Sequence, residues 1–205
     1  MRVRGEASVR VEPDDALLMI TLTAIEDRPG AALSNVSTRS QALDRMLDRL
    51  GIAEAERSTT GVTVQEEFDF TPGGRRSLGH RAVNQISVRV TDHELIGRLM
   101  ADATEELSAR IDGPRWGIAR SNPARLQAAR EAAADAQRRA QAYAEGVGAK
   151  LGQPLKLSED QPHAWPTRMQ ARAAAAVPEP LPVEPGEQEV VASVVVTFAL
   201  EFGDG

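Results

Sequence analysis

The chain has 205 residues, a net charge of −6 and no cysteine, which excludes disulfides, thiolate metal sites and a cysteine nucleophile. That length accommodates one large domain or two small ones and buries roughly 70% of the unfolded surface, so no covalent staple is required. A pI near 5.2 and 3% aromatic residues argue against a nucleic-acid surface, and no apolar run approaches the ~20 residues that span a bilayer.

Val3, Gly5, Ala7, Val9 and Val11 alternate with Arg2, Arg4, Glu6, Ser8 and Arg10, a period of two that predicts a strand with one wet face. No apolar stretch of 7–15 residues precedes it. The expectation is therefore a soluble chain, cytoplasmic as written, or of the envelope or periplasm if this is a processed form. Pro13-Asp14-Asp15 is a turn signal. A second strand from Ala16 to about Glu26 carries Leu18, Ile20, Leu22 and Ala24 on one side, and the two strands are expected to pair as a hairpin.

Leu33, Val36, Ser40, Leu43, Leu47 and Leu50 then fall at steps of three and four, a helical stripe with Gly51 as its left-handed cap. A strand near Ser58–Phe68, a polar loop from Thr71 to Arg76 and a strand over roughly Arg81–Thr91 follow. Thr91-Asp92-His93-Glu94 reads as a capping box before the stripe Ile96, Leu99, Met100, Ala103 and Leu107. After a short strand from Ile111 to Ile118, Asn122-Pro123 opens the longest helix, with Ala129, Ala133, Ala136, Ala140, Ala144, Val147 and Leu151 as its expected inner face.

Leu155–Ser158 reads as a brief strand. Six of the 12 prolines lie between Glu159 and Glu189, an expected loop excursion. The last strand alternates most cleanly, through Val190, Ala192, Val194, Val196, Phe198, Leu200 and Phe202, and Val191, Val195 and Ala199 make its other face apolar too. That composition predicts a strand that is central or covered on both faces. The order is β-β-α-β-β-α-β-α-β-β, an α+β fold with a largely antiparallel sheet and three helices packed on it. One domain over residues 1–205, with the excursion at about 159–189, is the simplest account.

The residue types that carry chemistry do not assemble into a motif. His80, His93 and His163 show no metal-ligand spacing, and no serine sits in a G-x-S-x-G turn. Asp14-Asp15, Glu66-Glu67-Asp69 and Glu105-Glu106 fall where carboxylates are solvated, not in the partly apolar pocket that acid–base pairs need. Gly73-Gly74-Arg75-Arg76 and Gly113-Pro114-Arg115-Trp116-Gly117 lack the strand, glycine loop and helix grammar of a phosphate cradle. No catalytic, metal or cofactor-binding residue is therefore assigned, and no cofactor is expected.

Six residues are candidates for interaction. Arg75 and Arg76 could grip an anion at a loop tip, and Trp165 could meet a partner or another subunit, while Trp116 is expected to fill the core. An open antiparallel sheet leaves edge strands whose backbone groups must be blunted or paired. The strand carrying Val62, Val64 and Phe68 is the candidate for a subunit contact.

Several stretches together resemble the SIMPL-domain family: the opening Val3-Arg4-Gly5-Glu6-Ala7, then Val11-Glu12-Pro13-Asp14-Asp15-Ala16; Leu50-Gly51-Ile52; Gly79 to Val90; and Gly148-Ala149-Lys150-Leu151-Gly152. The closest match runs from Pro182-Val183-Glu184-Pro185-Gly186-Glu187-Gln188-Glu189-Val190 into Ala192-Ser193-Val194. The resemblance implies an α+β fold, ring- or channel-like homo-oligomers in some bacterial relatives, and a link to stress. The animal namesake is similar to a signalling adaptor, and no catalytic set comes with the family. The expectation is a non-enzymatic, self-assembling homo-oligomeric scaffold or binding protein. The alternatives are a monomeric or dimeric adaptor for a small ligand or an unknown protein partner, with the excursion as its lid, and, less favoured, an unrecognised hydrolase.

Overall fold

A computed structural model describes residues 1–71, 74–160 and 184–202. The elements in chain order are β1 (Arg2–Val11), β2 (Asp15–Glu26), α1 (Pro29–Arg49), a 3-10 turn (Glu54–Glu56), β3 (Arg57–Thr71), β4 (Gly74–Val90), α2 (Glu94–Leu107), β5 (Arg110–Gly117), α3 (Pro123–Gly146), β6 (Ala149–Glu159) and β7 (Gln188–Phe202). The predicted order of three helices among antiparallel strands is the order found. The strands divide over two sheets, of order β1-β7-β6 and β3-β4-β2-β5. The described residues accordingly fall into two compact units, one of residues 14–117 and 184–185 and the other of residues 1–13, 118–160 and 186–202.

The expected β1–β2 hairpin does not form. Both strands alternate correctly, but β1 pairs with β7, from Arg2 opposite Thr197 to Val11 opposite Gln188. β2 instead lies between β4 and β5. Pro13 and the two aspartates after it lead the chain from one unit into the other, so a local turn signal marks a crossing and not a hairpin.

In the unit of residues 14–117, the period-two pattern of β2 and β4 puts Ala16, Leu18, Ile20, Leu22, Ala82, Ile86, Val88 and Val90 into one core. Val36, Leu43, Met46 and Leu47 of α1 and Ile96, Leu99, Ala103 and Leu107 of α2 complete it. Leu33, expected in the α1 stripe, is 44% exposed, and Ala32 takes the buried position. Gly51 closes α1 at φ 74°, where a side chain would be strained. Arg57, at the start of β3, reinforces that end: it donates to Ile52 O, to Asp44 O at 3.0 Å and to Asp48 Oδ1 at 2.6 Å. The α2 cap differs from the predicted box, since Asp92 Oδ1 accepts the Glu94 N–H at 3.1 Å.

β3 and β4 are longer than their sequence pattern predicts. Their pairing reaches Thr71 opposite Gly74, whereas β2 leaves β4 at His80. Arg75 and Arg76, expected in a loop, are strand residues opposite Phe70 and Asp69. The β3–β4 ribbon thus continues beyond the end of β2 as a two-stranded arm.

The other unit lays α3 on β1, β7 and β6. Its buried row is Ala124, Ala128, Ala132, Ala136, Ala140 and Ala144, each four residues from the next. The expected Ala129 and Ala133 are only partly buried, while Val147, 63% exposed, and Leu151, in β6, lie beyond the helix end at Gly146. The row follows the sheet: Ala124 and Ala128 meet Val190, while Ala132, Ala136 and Ala140 meet Val3, Val194, Val196 and Phe198. Gly5 allows the helix to come this close, because a Cβ there would lie 2.1 Å from Ala132 O and 2.4 Å from Ala136 N. β7 is central, one of the two placements its two-sided apolar pattern predicted. The expected brief strand at Leu155–Ser158 is part of the longer β6, and most of the proline-rich excursion, 161–183, lies outside the described residues.

Candidate interaction surface

The histidines do not meet. His80 is near the end of β4 where Glu26 of β2 stops, its Nδ1 3.3 Å from Asp27 O. His93 follows the opposite end of β4 and stands edge-on to Trp116, ring centroids 4.9 Å apart. The ten steps from His80 to Val90 alone span roughly 33 Å of strand. His163 and Trp165 lie outside the described residues.

Of the carboxylates flagged in the sequence, Glu66, Glu67, Glu106 and Asp15 are engaged by neighbours, and Asp15, expected to be solvated, is buried. Glu66 accepts from Ser77 Oγ at 2.8 Å, Glu67 pairs with Arg81 at 2.9 Å, and Glu106 lies 3.6 Å from Arg49. Asp15 pairs with Arg89 at 3.1 Å, and Arg89 also lies 3.5 Å from Glu56. Among the described residues, no three His, Cys, Asp or Glu side chains cluster as metal ligands, and no helix is long and apolar enough to cross a membrane. Trp116 packs against the core of residues 14–117, which is the place expected for it.

Of the interaction candidates, Arg75 and Phe68 come together on the two-stranded arm, the guanidinium stacked over the ring. Arg76 lies opposite Asp69. Val62 and Val64 lie further down β3, opposite Asn84 and Ala82 respectively, and therefore on the helix-bearing face of the sheet. They are nevertheless 54% and 40% exposed.

Among the described residues the two sheets have four edge strands, each with devices that hinder strand addition, and on β3 these stand towards the ends and leave a stretch between them. β1 offers its Glu6 N–H, which Asp135 of α3 accepts at 3.1 Å. That bond, reinforced by Arg139 and Arg138, holds the Asp135 carboxyl below the ordinary carboxylate range against the opposing effect of burial. β6 contains Pro154, Lys150 and Lys156 and two breaks of register against β7. β5 is only 8 residues long, contains Pro114, and shifts register between Leu17 and Met19 of β2. β3 has 15 residues with no proline and no lysine. Its register against β4 shifts between Thr59 and Gly61 and again between Glu67 and Phe68, so Gly61–Glu67 is the regular stretch.

Two features of this arrangement were not visible in the sequence. Arg57 and Asp135 each work at long range, on a helix end and a strand edge, and a charged residue in an alternating pattern gives no sign of such a partner. Gly5 did have a signal: a glycine on the apolar side of a strand marks a close approach.

The molecule is thus an α+β protein of two antiparallel sheets and three helices among the described residues. It belongs to the SIMPL family, described as a protein of unknown function (DUF541), whose model matches residues 1–198. No curated protein matches the chain significantly.

Proposed function

We propose that this chain is a non-enzymatic SIMPL-domain protein that assembles into homo-oligomers, acting as a scaffold or binding protein, and that the outer edge of β3 is a subunit contact. The observation that carries this reading is the contrast among the four edges. Three are shortened, interrupted or hydrogen-bonded, whereas β3 presents a regular stretch with two exposed valines. A regular edge stretch that no described residue covers is a template for another strand, and its main-chain donors and acceptors are satisfied when one adds. A role in stress response is a further part of the proposal, taken from the resemblance.

Light scattering on the purified chain tests the assembly. The expected mass is a multiple of 22.1 kDa at micromolar concentration, and Val62→Lys with Val64→Lys should lower it while the circular dichroism spectrum is retained. A single-chain mass across concentrations would overturn the proposal.

A further inference from the structure

We infer that two copies join through β3 as antiparallel neighbours related by a two-fold axis at Thr63. This rests on the reading that β3 is a subunit contact, and it adds the partner strand, its direction and its register.

Direction follows from charge. Glu66, Glu67 and Asp69 crowd one end of β3, and the other end, Arg57-Ser58-Thr59-Thr60, has no acid. Parallel pairing would place each carboxylate beside its own copy, about 4.8 Å away between strands, and like charges directly opposite are destabilising. Antiparallel pairing sets the acidic end of one strand against the hydroxyl-rich end of the other.

Register follows from which side chains then oppose each other. A two-fold axis normal to the sheet keeps every side chain on its own face, so the axis must pass through a residue and not between two. Within Gly61–Glu67, an axis at Val64 puts Val62 against Glu66, and an axis at Gln65 puts Val64 against Glu66. An axis at Glu66 opposes that carboxylate to itself, and one at Val62 leaves Val64 facing Thr60 at the register break. An axis at Thr63 sets Val62 of each copy against Val64 of the other, twice. All four valines then share one patch on the helix-bearing face, with Gly61 opposite Gln65 on the other. The contact is isologous, so it closes on itself as a pair.

The absence of cysteine from the chain makes the register directly readable. Residues directly opposite in an antiparallel pair have Cα atoms about 4.5–5.5 Å apart, within disulfide range, whereas those offset by two residues are about 7–8 Å apart and outside it. Thr63→Cys, Val62→Cys, Val64→Cys and, as a control on the exposed face of α3, Gln141→Cys would each be oxidised in the full chain. Cross-linking is read on non-reducing gels, beside light scattering and circular dichroism of the unoxidised protein. Thr63→Cys is expected to give a species of twice 22.1 kDa in at least tenfold the yield of Gln141→Cys. Val62→Cys and Val64→Cys should cross-link when mixed and not singly, an arm that reads the same register if Thr63→Cys is poorly folded. Strong self-linking of Val62→Cys or Val64→Cys would place the axis elsewhere and overturn the register while leaving β3 as the contact. A multi-chain mass with no cross-link from any β3 cysteine would move assembly to another surface. A single-chain mass would overturn the proposed function as well.

Discussion

Gly5 and Asp135 show how single atoms hold α3 against β1. A methyl group at Gly5 would enter the backbone of α3 at Ala132 and Ala136, and backbone cannot swing aside. Gly5→Ala is therefore expected to destabilise the unit of residues 1–13, 118–160 and 186–202 by about 1–3 kcal/mol or more, read from denaturant midpoints. Asp135→Ala leaves the Glu6 N–H without its acceptor and should cost about 1–2 kcal/mol at neutral pH. Because the folded-state carboxyl titrates below its unfolded value, its contribution is complete above the unfolded value near 3.8 and fades as pH falls through the lower folded one. The stability gap between wild type and Asp135→Ala should accordingly be constant from pH 7 to about 5 and shrink in strong acid. Denaturation series at several pH values check this, and a gap that widened in acid would reverse the sign.

At the scale of elements, the alanine row of α3 illustrates what periodicity can and cannot decide. Ala128, Ala129, Ala132, Ala133 and Ala134 are all available, and spacing alone does not choose between adjacent alanines. The choice was made by the sheet. A step of four residues drifts about 40° around a helix, so the six alanines turn through roughly 200°. The structural test is a pair of substitutions: Ala132→Leu, fully buried, should cost about 1–3 kcal/mol, while the exposed Ala134→Leu should change stability by less than about 0.5 kcal/mol. Strand identity was legible for the same reason that helix facing was not: alternation in β2, β4 and β7 has one solution, and each was found in place. The arm of β3 and β4 was illegible because Thr71-Pro72-Gly73-Gly74-Arg75-Arg76 reads as a polar loop. The edge was partly legible. Val62 and Val64 were flagged from the exposed edge that an open sheet must have, but the devices that protect β1, β5 and β6 emerge only once neighbours are known.

Across the whole molecule, pairing partners lie far apart in sequence. Residues 14–117, one continuous stretch, form one unit together with 184–185, whereas the other unit needs β1, α3, β6 and β7 together. The sequence pattern described each strand and missed this interleaving, since Pro13-Asp14-Asp15 looks the same whether it turns a hairpin or leads away. Deleting residues 188–202 removes the central strand β7 from under α3, so β1 and β6 lose their common partner. Hydrogen exchange with mass spectrometry on that truncated chain should show protection lost in β1, α3 and β6 and retained in β2, β4, α1 and α2. Equal loss throughout would mean that residues 14–117 are not stable without the rest.

The pairing of β1 with β7 also sets a timetable. Val11 leaves the ribosome about 177 residues before its partner Gln188, which at 5–20 residues per second is a wait of roughly 9–35 s. During that interval residues 14–117 can complete their own fold, while the nascent β1 carries Val3, Val9 and Val11 with no strand to receive them. Chaperone engagement during translation is expected to concentrate on those first residues and to end when β7 emerges.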